Sequence, residues 1–231
     1  MYELIDENAD FLVIYKKPNT SFHSDSGEMG LFEYCKQQQG LSELYPVHRL
    51  DKVTSGLLLM AKTAEINNQL TAAFRARHIE KYYLALSAKK PTKKQGLIKG
   101  DMTTARRGAF KLLATQENPA ITQFFSKSVV PGRRLFMIKP HTGKTHQIRV
   151  ALKSIGAPIM GDVLYADAAS NSAIDRTYLH AYSLGFALAE KQYRYTALPR
   201  EGEYFRDDFF SAAIMEWRDP WLLSWPKVVE K

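Results

Sequence analysis

An α+β fold, built on a mixed, largely antiparallel central sheet with flanking helices, is what this 231-residue sequence predicts. Three observations carry that reading. Residues 109–115, 120–128 and 134–139 are strand-forming runs joined by Asn118-Pro119 and Pro131-Gly132, the turn chemistry of an antiparallel meander. Residues 57–61 are apolar at every position, which marks a central strand buried on both faces. Residues 63–77 and 145–155 repeat apolar side chains with the period of a helix.

Taken in order, residues 10–15 form a short buried strand, ended by Lys16-Lys17-Pro18-Asn19 because proline cannot donate to a sheet ladder. Residues 30–39 form a helix with Leu31, Tyr34 and Cys35 on one face and Gly40 as its stop. The loop His48-Arg49-Leu50-Asp51-Lys52-Val53-Thr54-Ser55-Gly56 then feeds the buried strand. Thr63 caps the next helix, whose stripe is Ile66, Leu70, Ala73 and Phe74. Residues 81–87 alternate as a half-buried strand, with Tyr83 and Ala85 opposite Tyr82, Leu84 and Leu86. After the meander, the helix at 145–155 buries Ile148, Leu152 and Ile155 and sets His146, Arg149 and Lys153 on another face. Strands at 178–189 and 193–197 precede a helix at 206–217 that buries Phe209, Phe210 and Ile214. The tail from Pro220 to Pro226 holds two tryptophans, too aromatic for a free end, so it docks back. No repeat or linker divides the chain. Residues 1–231 are read as one domain, with 200–231 an extension packed on the core.

A hydrophobic content of 45% suffices for a proper core, and one cysteine, Cys35, excludes an intrachain disulfide. No apolar run reaches the roughly 18 residues of a membrane span. The acidic N-terminus lacks the form of a signal peptide, so a cytoplasmic monomer is expected. Net charge is +8, unevenly spread. From Arg75 to Lys111 eleven bases face only Glu80 and Asp101; between Glu117 and Asp162 seven bases face no acid. The rest of the chain is therefore net acidic. Such polarisation points to a nucleic-acid surface.

The candidate site starts at Asp51, set between Arg49 and Lys52 at the lip of a buried strand; a cation beside a carboxylate favours its ionised form. Read alone, it is equally a structural turn residue. Arg149, Tyr82 and Tyr83 are candidate neighbours. The histidines lack metal-ligand spacing, so no metal is expected. Gly143-Lys144-Thr145 has the ending of a phosphate-binding P-loop, but Ile138 stands where its first glycine belongs. A carboxylate among cations and aromatics suits chemistry at a glycosidic centre or on a heterocyclic base.

His48-Arg49-Leu50-Asp51 with Thr54-Ser55-Gly56-Leu57-Leu58-Leu59 resembles the signature of the RluA-type pseudouridine synthases. Four further patches agree in that family's order: Val13-Ile14-Tyr15-Lys16-Lys17-Pro18; Lys81-Tyr82-Tyr83-Leu84-Ala85; Gly143-Lys144-Thr145-His146-Gln147-Ile148-Arg149-Val150 continuing to Tyr165; and Leu179-His180-Ala181. The likeness runs from about residue 10 to 190.

The resemblance implies the pseudouridine synthase fold and a cofactor-free isomerase that detaches uracil from its ribose and rejoins it through C5. By that analogy Asp51 is the nucleophile, at C1′ or at C6. Tyr83 stacks on the base and Arg149 pairs with Asp51. Arg49 holds the flipped-out nucleotide or its gap, since a base must leave its stack before such chemistry. Further RNA contacts are expected from His48, Lys52, Thr54, Lys144, Thr145, His146, Arg106 and Arg107, around a cleft between the Asp51 loop and the 145–155 helix. Lys52-Val53, Lys144 and Ala151 depart from the family's usual residues and bear on substrate choice. A strand as early as Phe11 leaves no room for an N-terminal S4-type domain, so the compact branch is expected, acting on a tRNA or rRNA. The alternatives are an RNA-binding or ribosome-assembly protein that has lost turnover, and a carboxylate-based nucleoside hydrolase.

Overall fold

The computed structural model describes residues 1–24, 27–167, 171 and 173–228. Its framework is a ten-stranded sheet. Along it run β1 (Tyr2–Glu7), β2 (Phe11–Lys16), β4 (Ser55–Ala61), β11 (Leu179–Leu188), β5 (Glu80–Ser87), β10 (Arg133–Pro140), β9 (Ala120–Val130) and β6 (Gln95–Gly100); β3 (Tyr45–Pro46) joins β4 and β12 (Lys191–Thr196) joins β11. Among the described residues every pairing is antiparallel except β4 with β11, which matches His180 to Ser55 and Ala181 to Gly56. The mixed, largely antiparallel sheet expected from the sequence is thus present.

β4 is buried at every position, as its unbroken apolar run requires. Leu58 and Met60 join Leu12, Ile14 and Phe136 on one face, while Leu57, Leu59 and Ala61 join Phe11, Val13 and Phe186 on the other. The first face is covered by α3 (Gln147–Ser154), the second by α2 (Ala64–Arg75). Thr63 caps α2 by accepting from Ile66 N–H at 3.2 Å.

The parallel step depends on Gly56. Its φ is +114°, and a Cβ there would lie 2.2 Å from the Ala181 carbonyl oxygen. Replacing it by alanine therefore combines a disfavoured backbone with a collision against a buried strand. Gly56→Ala should cost about 3 kcal/mol in urea unfolding; a loss below about 1 kcal/mol would contradict this account of the junction.

Several expectations change. The meander has two strands in the main sheet, not three. β8 (Phe110–Leu112) instead pairs with β7 (Met102–Thr104) in a separate hairpin, and β6 takes the place beside β9. The cause is Asp101, whose carboxylate accepts from Glu117 N–H at 3.0 Å and Asn118 N–H at 2.8 Å, pulling the β8–β9 connection back to the end of β6. The helix expected at 206–217 is broken at Asp207, which caps α5 (Asp208–Met215) and separates it from α4 (Glu203–Arg206). Phe210 and Ile214 are buried, but Phe209 is exposed. In the tail, Trp221 and Trp225 close on Tyr82 with ring centres 5.3 and 5.8 Å away, and Gln123 donates to the Pro226 carbonyl. Residues 229–231 lie outside the described residues.

Candidate active site

The loop between β3 and β4 carries Asp51 into a cleft of about 660 Å³. Its mount is a buried lysine. Lys16 ends β2 with no exposure, and its ammonium donates to the carbonyls of Lys17 at 3.1 Å, Lys52 at 3.0 Å and Thr54 at 2.7 Å. Two of these carbonyls lie one and three residues beyond Asp51. Burial, then the charge of Arg176, brings Lys16 down to about 7. Only the ammonium form supplies all three donated protons. Thr54 N–H closes the turn on the Asp51 carbonyl at 3.0 Å.

Helix α3 brings up Arg149, buried to 5% exposure. Its Nη1 lies 3.4 Å from Asp51 Oδ2. Its other side makes a forked pair with Asp162, Nε to Oδ2 at 2.8 Å and Nη2 to Oδ1 at 2.9 Å. Asp162 is wholly buried and also accepts from Leu164 N–H. Burial alone would lower Arg149, but the hydrogen bonds and charge of Asp162, with Asp51, outweigh it and hold the guanidinium above its ordinary value. The Tyr165 ring lies under the guanidinium, 4.9 Å from its centre.

The helix begins two residues later than its periodicity predicts, because His146 adopts a left-handed φ of 56°. This places Lys144, Thr145 and His146 before the first turn. The imidazole lines the cleft, with Nδ1 2.9 Å from Tyr165 Oη and Nε2 4.0 Å from Asp51 Oδ2. Burial, then the charge of Arg149, holds His146 below its ordinary value. Gln147 pins this turn: its Oε1 accepts from Lys144 N–H and the Thr142 hydroxyl, and its Nε2 donates to Ile121 O and Thr122 Oγ1.

Tyr83, on β5, lines the same cleft. Burial, then the charge of Asp51, raises its phenol, which stays protonated. Around this centre stand Arg49, Arg75, Arg77, Lys81, Lys144 and Arg149, while Asp51 is the only carboxylate lining the cleft among the described residues. A field of one sign around one anchored carboxylate concentrates a polyanion at that carboxylate.

The structure thus brings Asp51, Tyr83, Arg149, Arg49, Lys144 and His146 into one cleft. Lys52 is exposed beside it and lines an adjoining pocket with Arg49. Arg106 and Arg107 are exposed at the turn joining β7 and β8, and Thr145 is exposed outside the cleft lining. Two expected RNA contacts are redirected. His48 Nε2 accepts from Leu59 N–H at 3.0 Å, filling a gap in the β4 ladder, and its ring packs on Phe74. Thr54 is 2% exposed, with its N–H and carbonyl both spent inside the loop. Sequence reasoning missed Lys16, Gln147 and Asp162 as parts of the site. The signal present was position alone: Lys16, Gln147 and Asp162 fall inside the patches that resemble the family.

The sequence model of RNA pseudouridylate synthases matches residues 10–154. A Haemophilus influenzae protein described as an uncharacterized RNA pseudouridine synthase is 49% identical over 203 residues, which cover 88% of this chain and 90% of that one. A ribosomal large subunit pseudouridine synthase C of Vibrio vulnificus is 30% identical over 194 residues, covering 80% of this chain and 62% of its own length. Human RNA pseudouridylate synthase domain containing 1 shares the fold, with a TM-score of 0.74 at 20% identity over 94% of this chain and 95% of that one. With the family match covering more than half of the chain and the Haemophilus relative nearly all of it, this protein belongs to the RluA-type family of RNA pseudouridine synthases, which are isomerases.

Proposed function

We propose that this chain converts a specific uridine of a structured RNA to pseudouridine, with Asp51 as nucleophile. The observation that carries the reading is one ionisable carboxylate, clamped by Lys16 through its loop and paired with Arg149, at the centre of a cationic cleft beside Tyr83. The reaction breaks the N1–C1′ bond and makes C5–C1′; C5 gives up its proton and N1 gains one. Atoms and electrons balance without a cofactor. Asp51 supplies the nucleophilic oxygen, Arg149 keeps it ionised, and Tyr83 stacks on the extruded base. Arg49, at the mouth, holds the nucleotide or occupies its gap.

The substrate is an rRNA or a tRNA. The relatives named for the ribosomal large subunit support the first. The working unit is one chain, since every cleft residue named here comes from it, and residues 1–231 act as one catalytic domain with 200–231 as an extension on the core. That all the cations named here line one cleft favours turnover on a bound RNA.

The test is release of tritium from rRNA and tRNA labelled at uracil C5. Release from one pool, with pseudouridine formed in equal amount, is the expected result. Binding without release from either would leave the inactive RNA-binding reading; free uracil as product would point to a hydrolase. The cationic cleft adds a salt prediction. If the cleft's five outer cations meet phosphates, log Kd should rise with log salt at a slope of about 4–5. A slope near zero in a filter-binding titration would sink the assignment.

A further inference from the structure

We infer that Asp162 is a positioning residue whose charge keeps Arg149 in place when Asp51 loses its own. This rests on the reading of Asp51 as nucleophile. Arg149 is shared unequally. It gives Asp162 two hydrogen bonds of 2.8 and 2.9 Å in a fork, and Asp51 one long contact of 3.4 Å. A forked guanidinium–carboxylate pair fixes orientation as well as distance, whereas a single long contact fixes neither. The strong partner of Arg149 is therefore the carboxylate outside the cleft lining.

The chemistry gives this asymmetry a purpose. When Asp51 attacks C1′, an Oδ–C1′ bond forms, C1′–N1 breaks, and the electron pair leaves on N1 of uracil. When it attacks C6, an Oδ–C6 bond forms and the C5–C6 π pair moves to O4. In both routes Asp51 becomes a neutral ester and its negative charge passes to the base. Arg149 is 5% exposed and would then be a buried cation without a partner, which is strongly unfavourable. Asp162, wholly buried and held by Leu164 N–H, keeps the guanidinium paired throughout. Nη1 is then left facing the space where charge moves, ready to meet the uracil anion. Asp162 also stops Arg149 from closing on Asp51 as a forked pair, which would blunt the nucleophile.

The experiment is the Asp162→Asn enzyme on C5-tritiated RNA. The expected result is a kcat lower by about 100-fold, with KM within about 3-fold and RNA affinity unchanged, because the loss falls on the charge-moving step. A second readout separates positioning from structural damage. Asp51 is faced by Arg149 and His146 from α3, Lys16 from β2, Tyr83 from β5 and Tyr165. Removing the Asp162 charge leaves Arg149 acting on Asp51 alone, so the acid limb of the kcat profile should move to lower pH. Asp162→Glu, which keeps the charge, should recover at least about a tenth of the rate. Should Asp162→Asn fold poorly, the double variant Arg149→Met with Asp162→Asn removes both buried charges; it should fold and remain inactive. A wild-type kcat and acid limb in Asp162→Asn would overturn the inference. So would wild-type activity in the double variant. If Asp51→Asn itself retained activity, the reading of Asp51 would fail first, whatever Asp162 does.

Discussion

Asp51→Asn should lower isomerisation by about 10⁴-fold or more while leaving RNA affinity within about 3-fold. The substitution is nearly isosteric and keeps an oxygen within reach of Arg149 Nη1, now at 3.4 Å from Oδ2. It removes the one thing the cleft cannot replace, a negative oxygen able to form a bond. The next carboxylate, Asp162, is fully buried behind Arg149 and has both oxygens committed to it. RNA affinity survives because the cleft's cations are untouched. Single-turnover rates and filter binding on the same RNA check both halves. Residual activity within about 10-fold of wild type would remove Asp51 from the chemistry.

Acid should unfold this protein for a reason that lies beneath the site. His180 pairs across the parallel step: its Nε2 donates to the Ala197 carbonyl at 2.8 Å, so Nδ1 must accept from the Ser55 hydroxyl at 2.7 Å. Ser55 in turn accepts from Arg176. His48 Nε2 likewise accepts, from Leu59 N–H. Protonation would set a donor against a donor in each case. Burial brings both imidazoles down to about 3, with Lys81 adding for His48 and Arg176 for His180. In the unfolded chain both titrate near 6.5. Their folded values are depressed, so the stability they contribute is complete above pH 6.5 and is lost as pH falls from there toward 3. At pH 5 each costs about 2 kcal/mol, roughly 4 kcal/mol for the pair. Urea midpoints at pH 7.5 and pH 5 measure it; a difference below about 1 kcal/mol would show that these rings are not held neutral. The same acid loosens the Ser55–Gly56 junction on which Asp51 is mounted.

What could be read from the chain follows from where each signal resides. The buried β4 was legible because a five-residue apolar run has no other use. α2 was legible from its stripe and its Thr63 cap. β1 was not, since Glu3, Asp6 and Glu7 make an edge strand look like a solvated terminus, and β6 was hidden by Gly96 and Gly100. Asp51, Tyr83 and Arg149 were reachable as candidates because their neighbours carry a recognisable pattern. Lys16 read as the charged end of a strand; its burial exists only because the carbonyls of Lys52 and Thr54, 36 and 38 residues away, converge on it. Asp162 read as a turn residue, and only the fold shows that its oxygens face the guanidinium of Arg149. His48 erred the other way: a histidine beside the key aspartate looked like a ligand for RNA, and the missing rung of β4 claimed it.

The most direct test of the central claim is a pseudouridine map of rRNA and tRNA from cells lacking this gene. The maps are then repeated after restoring wild-type protein or Asp51→Asn at matched levels. The account predicts that at least one uridine loses its modification, regains it with the wild-type protein, and stays unmodified with Asp51→Asn. Recovery of that modification by Asp51→Asn would contradict the account.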